Sequence, residues 1–71
     1  MKVNLKNLKK LIDEKYRGNQ SFFADEAKIE RSYLNQMLNE NVSLSSPKIC
    51  NSIIMYCEKN KLNFKDYIFL E

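Results

Sequence analysis

Histidine and tryptophan are absent from this chain, and it holds only one glycine (Gly18), one proline (Pro47) and two cysteines (Cys50 and Cys57). Without histidine, a zinc site would need carboxylates to complete a pair of thiolates, an uncommon structural arrangement, so no metal is expected. With a single glycine there is no glycine-rich phosphate loop, and no nucleophile and base stand at a suggestive spacing, so an enzyme is not expected. Asp13-Glu14 and Asp25-Glu26 are adjacent pairs whose side chains diverge on a helix, and they read as solvated faces. If Cys50 and Cys57 share a helix they lie about 10.5 Å apart along its axis, beyond disulfide reach. They are expected to be reduced, buried, small apolar residues. No apolar run approaches the roughly 20 residues that span a bilayer. The opening segment Met1-Lys2-Val3-Asn4-Leu5-Lys6 is charged and lacks the apolar stretch of about 7–15 residues of a signal peptide, so a cytoplasmic location is expected.

What is present suits one small domain. The chain has 71 residues, 44% of them hydrophobic, with a mean hydropathy of -0.55. That length is close to the lower limit for unaided folding, so every element must contribute to the core. A core so small leaves little room for a ligand pocket, and neither a cofactor nor a small-molecule ligand is expected. The net charge of +3 is mild, but it is unevenly distributed. From Met1 to Arg17, Lys2, Lys6, Lys9, Lys10, Lys15 and Arg17 face only Asp13 and Glu14; from Gly18 to Ser46, Lys28 and Arg31 are outnumbered by Asp25, Glu26, Glu30 and Glu40. Charge alone does not point to a nucleic-acid partner. The lysines at 6, 9 and 10 are adequately explained as a solvated face, paired with Asp13 and Glu14 at helical spacing.

Helical periodicity dominates, with no alternating apolar run to suggest a strand. The expected fold class is all-α, with five helices at about 5–16, 20–27, 31–38, 47–59 and 64–70. Asn4 is a good N-cap, flanked by Val3 and Leu8 at the positions of a hydrophobic staple. Leu5, Leu8, Leu11 and Ile12 form one stripe, and Gly18 is placed to end the first helix. Asn19 caps the second helix, whose Phe23, Ala24 and Ala27 face inward. Lys28 and Ile29 make the turn to the third, anchored by Leu34 and Met37 with Leu38 beside them. Residues 39–46 have a loop's polar composition, with Val42 and Leu44 available to pin it. Ser46-Pro47 starts the fourth helix, which is expected to bury Ile49, Ile53, Ile54 and Cys57. Asn63 caps the last helix, with Leu62 and Tyr67 as a second staple.

The stretch from Asn19 to Asn39 thus reads as a helix-turn-helix whose second helix carries polar side chains suited to reading bases. Its residues resemble the Cro and lambda-repressor type (XRE-like) of helix-turn-helix domain. Gln20 stands at the first residue of helix two, Ala24 at the small position and Ile29 at the apolar turn position. Leu34 and Met37 match the apolar anchors, Arg31-Ser32-Tyr33-Leu34-Asn35-Gln36-Met37-Leu38-Asn39 is similar to the family's recognition helix, and Ser46-Pro47 resembles its start of helix four. The similarity covers roughly residues 4–70. Three positions depart from it: Lys28 stands where the family often has a left-handed glycine, Glu40 where a glycine often follows helix three, and Glu30 where serine or threonine caps better.

The resemblance implies a sequence-specific transcriptional regulator, a repressor from a phage, plasmid or other mobile element, binding double-stranded DNA with the third helix in the major groove. Arg31, Ser32, Asn35 and Gln36 are the expected base contacts. Arginine can donate a pair of hydrogen bonds to guanine and a carboxamide can make the donor–acceptor pair with adenine, whereas serine addresses several edges. Gln20 is expected to bond a phosphate at a helix N-terminus. Asn39, Asn41, Ser43 and Lys48 are expected backbone contacts on the other flank. Tyr33 has three readings: phosphate contact, thymine-methyl contact, or packing beside the helix. The aromatic C-terminal end, Phe64, Tyr67, Phe69 and Leu70, exceeds what so small a core should absorb. It suggests a homodimer on an inverted repeat, with the same residues folded onto helices one and four as the competing reading. The rival function is a protein-interaction module on the same fold, with DNA contact weak or lost.

Overall fold

The computed structural model describes residues 1–40 and 47–69. Its order is β1 (Lys2–Val3), α1 (Leu5–Tyr16), α2 (Gln20–Ala27), α3 (Arg31–Asn39), α4 (Pro47–Lys59), a 3-10 turn (Phe64–Asp66) and β2 (Ile68–Phe69). The protein is therefore mostly helical, with four α-helices and a two-stranded antiparallel sheet among the described residues.

Asparagine side chains start the first two helices, where orphan backbone amides need acceptors. Asn4 Oδ1 accepts from the Asn7 amide at 3.3 Å, and Asn19 Oδ1 accepts from the Phe22 amide at 3.0 Å. The stapling pair Val3 and Leu8 is fully buried. The expected cap Ser46 and the loop residues Val42 and Leu44 lie outside the described residues.

Helix ends show what a chain with one glycine must do instead. Arg17 (φ 53°), Lys28 (φ 58°) and Lys61 (φ 58°) all adopt the left-handed conformation, and Gly18 follows Arg17 with φ 80°. Reversal brings closing bonds within reach: Gly18 donates to the Ile12 carbonyl at 3.1 Å, Ile29 to Ala24 at 2.9 Å and Leu62 to Cys57 at 2.7 Å. A side chain in this conformation is strained by roughly 1–2 kcal/mol, partly offset because glycine has more freedom to lose on folding. Lys28→Gly is accordingly expected to stabilise the protein by about 0.5–1 kcal/mol in urea denaturation. Glu40, by contrast, ends α3 in the right-handed region (φ -89°, ψ -3°), so glycine has no conformational advantage there.

The fifth helix expected at 64–70 does not form, although the mostly helical structure is compatible with the expected all-α class. Asn63 does cap, accepting from the Lys65 amide at 3.0 Å, but only one 3-10 turn follows. The reason lies at the other end of the chain. Asn7 Nδ2 donates to the Asp66 carbonyl at 2.7 Å and the Asn4 amide donates to the Tyr67 carbonyl at 2.8 Å. The chain then runs extended, with Val3 opposite Ile68 and Lys2 opposite Phe69. Val3 and Ile68 point into the core while Lys2 and Phe69 face outward, the period-2 alternation of a strand.

The core joins Leu8, Leu11 and Ile12 of α1, Phe23, Ala24 and Ala27 of α2, Ile29, the α3 residues Leu34, Met37 and Leu38, five residues of α4, and the strand residues Val3 and Ile68. In α4, Ile49, Ile53 and both cysteines are buried as expected, whereas Tyr56 is buried and Ile54 only half-buried, which differs from expectation. Both cysteines are free thiols, and burial pushes the Cys57 thiol up. Phe23 packs edge-on to Tyr16 and Tyr56, with centroids 5.7 and 5.0 Å apart, and the two tyrosine hydroxyls share a hydrogen bond of 2.5 Å.

Burial, and then the Tyr16 hydrogen bond, raise the Tyr56 phenol well above its ordinary value. The neutral phenol is thus favoured in the folded state. Its contribution is complete below about pH 10, where an unfolded tyrosine ionises, and is lost as pH climbs from there toward the folded value. Stability is expected to fall above about pH 10, with a shallower fall in Tyr56→Phe. Thermal melts of the two proteins at pH 8 and pH 11 check this.

Candidate nucleic-acid interface

Small residues let α2 and α3 pack closely: Ala24 and Ala27 are both buried, and α2 also touches α1 and α4. The connection between them depends on Lys28 in its left-handed conformation and on Ile29, which drops into the core. The Glu30 backbone is extended (φ -62°, ψ 130°) and its carbonyl accepts from the Leu34 amide at 3.0 Å. Its carboxylate makes no capping bond, and instead Ser32 Oγ donates to Glu30 Oε1 at 2.9 Å.

Leu34, Met37 and Leu38 hold α3 to the core. At 3.6 residues per turn, Arg31, Ser32, Asn35, Gln36 and Asn39 then fall within an arc of about 140° on the opposite side. Arg31, Ser32, Gln36 and Asn39 are exposed and Asn35 is half-buried. Tyr33 lies about 60° outside that arc, half-buried and packed against the core, which favours packing among its three readings. Gln20 is half-buried at the first position of α2 and lines a shallow groove with Lys9, Asp13, Gly18 and Leu38. Lys48, second in α4, is exposed, and its carbonyl accepts from Ser52 Oγ at 3.0 Å. Asn41 and Ser43 lie outside the described residues.

Arg31 is not a free-swinging cation. Its Nε donates to Asp25 Oδ1 at 3.1 Å and its Nη2 to Asp25 Oδ2 at 2.6 Å, a bidentate bridge from the first residue of α3 back to α2. The Arg31 hydrogen bond, with its charge, holds the Asp25 carboxyl below the usual carboxylate range, and Asp25 raises the guanidinium in return. From the sequence, Asp25 reads as a solvated charge. Six residues of separation is no helical spacing, so nothing local signals the pair.

The face therefore offers an oriented guanidinium, two carboxamides at Asn35 and Gln36 and a hydroxyl at Ser32. It is bordered by the exposed carboxylates Asp25, which bridges to Arg31, and Glu30 and Glu40 at the two ends of α3. Such a set can form directional donor and acceptor pairs with planar polar partners. Its charge would contribute little to general polyanion attraction.

At the C-terminal end, Phe64 and Tyr67 are half-buried and pack against the core, as in the fold-back reading; burial raises the Tyr67 phenol. Phe69 is 53% exposed on β2, and Leu70 lies outside the described residues. No helix among the described residues is long and apolar enough to cross a membrane. The chain matches no family model, no curated protein and no solved structure.

Proposed function

We propose that this chain is a sequence-specific regulator of transcription that binds double-stranded DNA through a lambda-repressor-like helix-turn-helix. In this reading α3 enters the major groove, and the protein represses genes of a phage, plasmid or other mobile element. The observation that carries the reading is the division of α3: Leu34, Met37 and Leu38 are fixed in the core, while Arg31, Ser32, Asn35 and Gln36 share its outer side. Those are the residue types that pair with base edges. Gln20, Asn39 and Lys48 supply backbone contacts that set register.

Fluorescence anisotropy on the duplex upstream of the chain's own gene and on a scrambled duplex, at two salt concentrations, tests this. A preference of at least roughly a thousandfold for the upstream duplex, with affinity falling steeply as salt rises, is the expected result. Equal weak binding to both, or none, overturns it. Two-fold association through the exposed Phe69 would set two recognition helices about one DNA turn apart, roughly 34–36 Å. A dimer is therefore expected in sedimentation equilibrium with the cognate duplex, and Phe69→Ser is expected to weaken it.

The second reading, a protein-interaction module on the same architecture, is favoured by the carboxylates Asp25, Glu30 and Glu40 at α3 and by the exposure of Met55 and Phe22 elsewhere. It becomes the better account if the anisotropy result is negative.

A further inference from the structure

A bidentate carboxylate on a guanidinium occupies one edge of it and leaves the others defined. In the Arg31–Asp25 pair the bonded edge is Nε with one N–H of Nη2. What remains are both N–H groups of Nη1 and the second N–H of Nη2, and the outward N–H of each forms the end-on fork of the group. That fork has the spacing to donate in parallel to guanine O6 and N7. The side chain is 59% exposed and stands at the first position of α3, the end of a recognition helix that approaches base edges. We propose that Asp25 is a positioning residue for Arg31: it holds the guanidinium side-on, so that Arg31 reads one guanine end-on and discriminates it from other bases.

This rests on the DNA-binding reading above. It also accounts for a carboxylate beside a surface meant for a polyanion. Unpaired, Asp25 would repel phosphates, whereas bridged to Arg31 it forms a locally neutral pair whose remaining donors point outward. An unbuttressed arginine at the same place would be a long flexible cation, free to swing between base edges and phosphates. It would attract DNA at least as well and select sequence less well. The neighbouring Ser32–Glu30 bond ties up the next carboxylate in a weaker version of the same arrangement.

The test is a base-preference profile. Wild type, Asp25→Asn, Asp25→Ala and Arg31→Ala are each used to select duplexes from a randomised pool, and binding to the wild-type-selected duplex is then measured with each base pair exchanged in turn. Wild type is expected to require guanine at one position. Arg31→Ala and both Asp25 variants are expected to lose about tenfold of the preference at that position alone. The Asp25 variants are expected to bind a scrambled duplex as tightly as wild type or more tightly, since a negative charge has been removed. Circular dichroism keeps folding separate, and an exposed carboxylate at the end of a short helix should leave it unchanged. Three results overturn the proposal. Asp25 variants that keep the guanine preference remove Asp25 from specificity. A uniform loss across all positions in Arg31→Ala makes Arg31 a phosphate contact. No sequence enriched by wild type removes the DNA-binding reading itself, and the buttress with it.

Discussion

Arg31→Ala combined with Gln36→Ala is expected to lower affinity for the specific duplex by about a thousandfold while leaving binding to a scrambled duplex within a fewfold of wild type. Each paired contact to a base edge contributes roughly ten- to hundredfold of discrimination, and two contacts on separate base pairs multiply. Both side chains are exposed, so neither truncation opens a cavity in the core. The loss should therefore appear in binding and not in folding, and the salt dependence should persist because the backbone contacts remain. Anisotropy titrations of the double variant on the two duplexes, with its urea midpoint measured alongside, provide the check. Specific binding that survives at unaltered base preference would remove α3 as the reading helix and move the interface elsewhere on the molecule.

Phe23→Ala carries the largest expected effect on stability, about 3–5 kcal/mol. Phe23 is fully buried and its ring lies edge-on to both Tyr16 and Tyr56, which links α2 to α1 and α4. A chain of this length has roughly 4–11 kcal/mol of net stability in total. One truncation thus removes from about a quarter of it to more than all of it, and a marginally folded or unfolded chain at about 37 °C is the expected outcome. Circular dichroism melts of Phe23→Ala and Phe23→Leu distinguish the causes: leucine refills most of the volume and should recover part of the loss. A cost below about 1.5 kcal/mol in the alanine variant would mean that Phe23 does not join α1, α2 and α4 in the way described.

Local chemistry accounts for the parts of the fold that are legible in the chain. Asn4, Asn19 and Asn63 each cap the turn that follows them, because a carboxamide oxygen two or three residues before an orphan amide is a short-range arrangement. The apolar anchors Leu34 and Met37 are readable for the same reason, since periodicity places them on one face whatever they pack against. The last segment was not legible. Leu62, Phe64, Tyr67, Ile68 and Phe69 show no distinction between a short helix and a turn followed by a strand. The hydrogen bonds that decide it come from Asn4 and Asn7, some sixty residues away in the chain.

By itself, then, the sequence determined four helices, two of their N-terminal caps, the turn at Lys28-Ile29 and which side of α3 is polar. These depend on contacts within a few residues, where side-chain spacing and backbone geometry are coupled directly. Tertiary structure alone decided three things. It turned residues 68–69 into a strand, because Val3 and Ile68 bury together only when the chain ends meet. Through ring packing across three helices it made Tyr56 a core residue. And it joined Asp25 to Arg31, a pair whose separation matches no helical repeat, because the turn at Lys28 swings the start of α3 back toward α2.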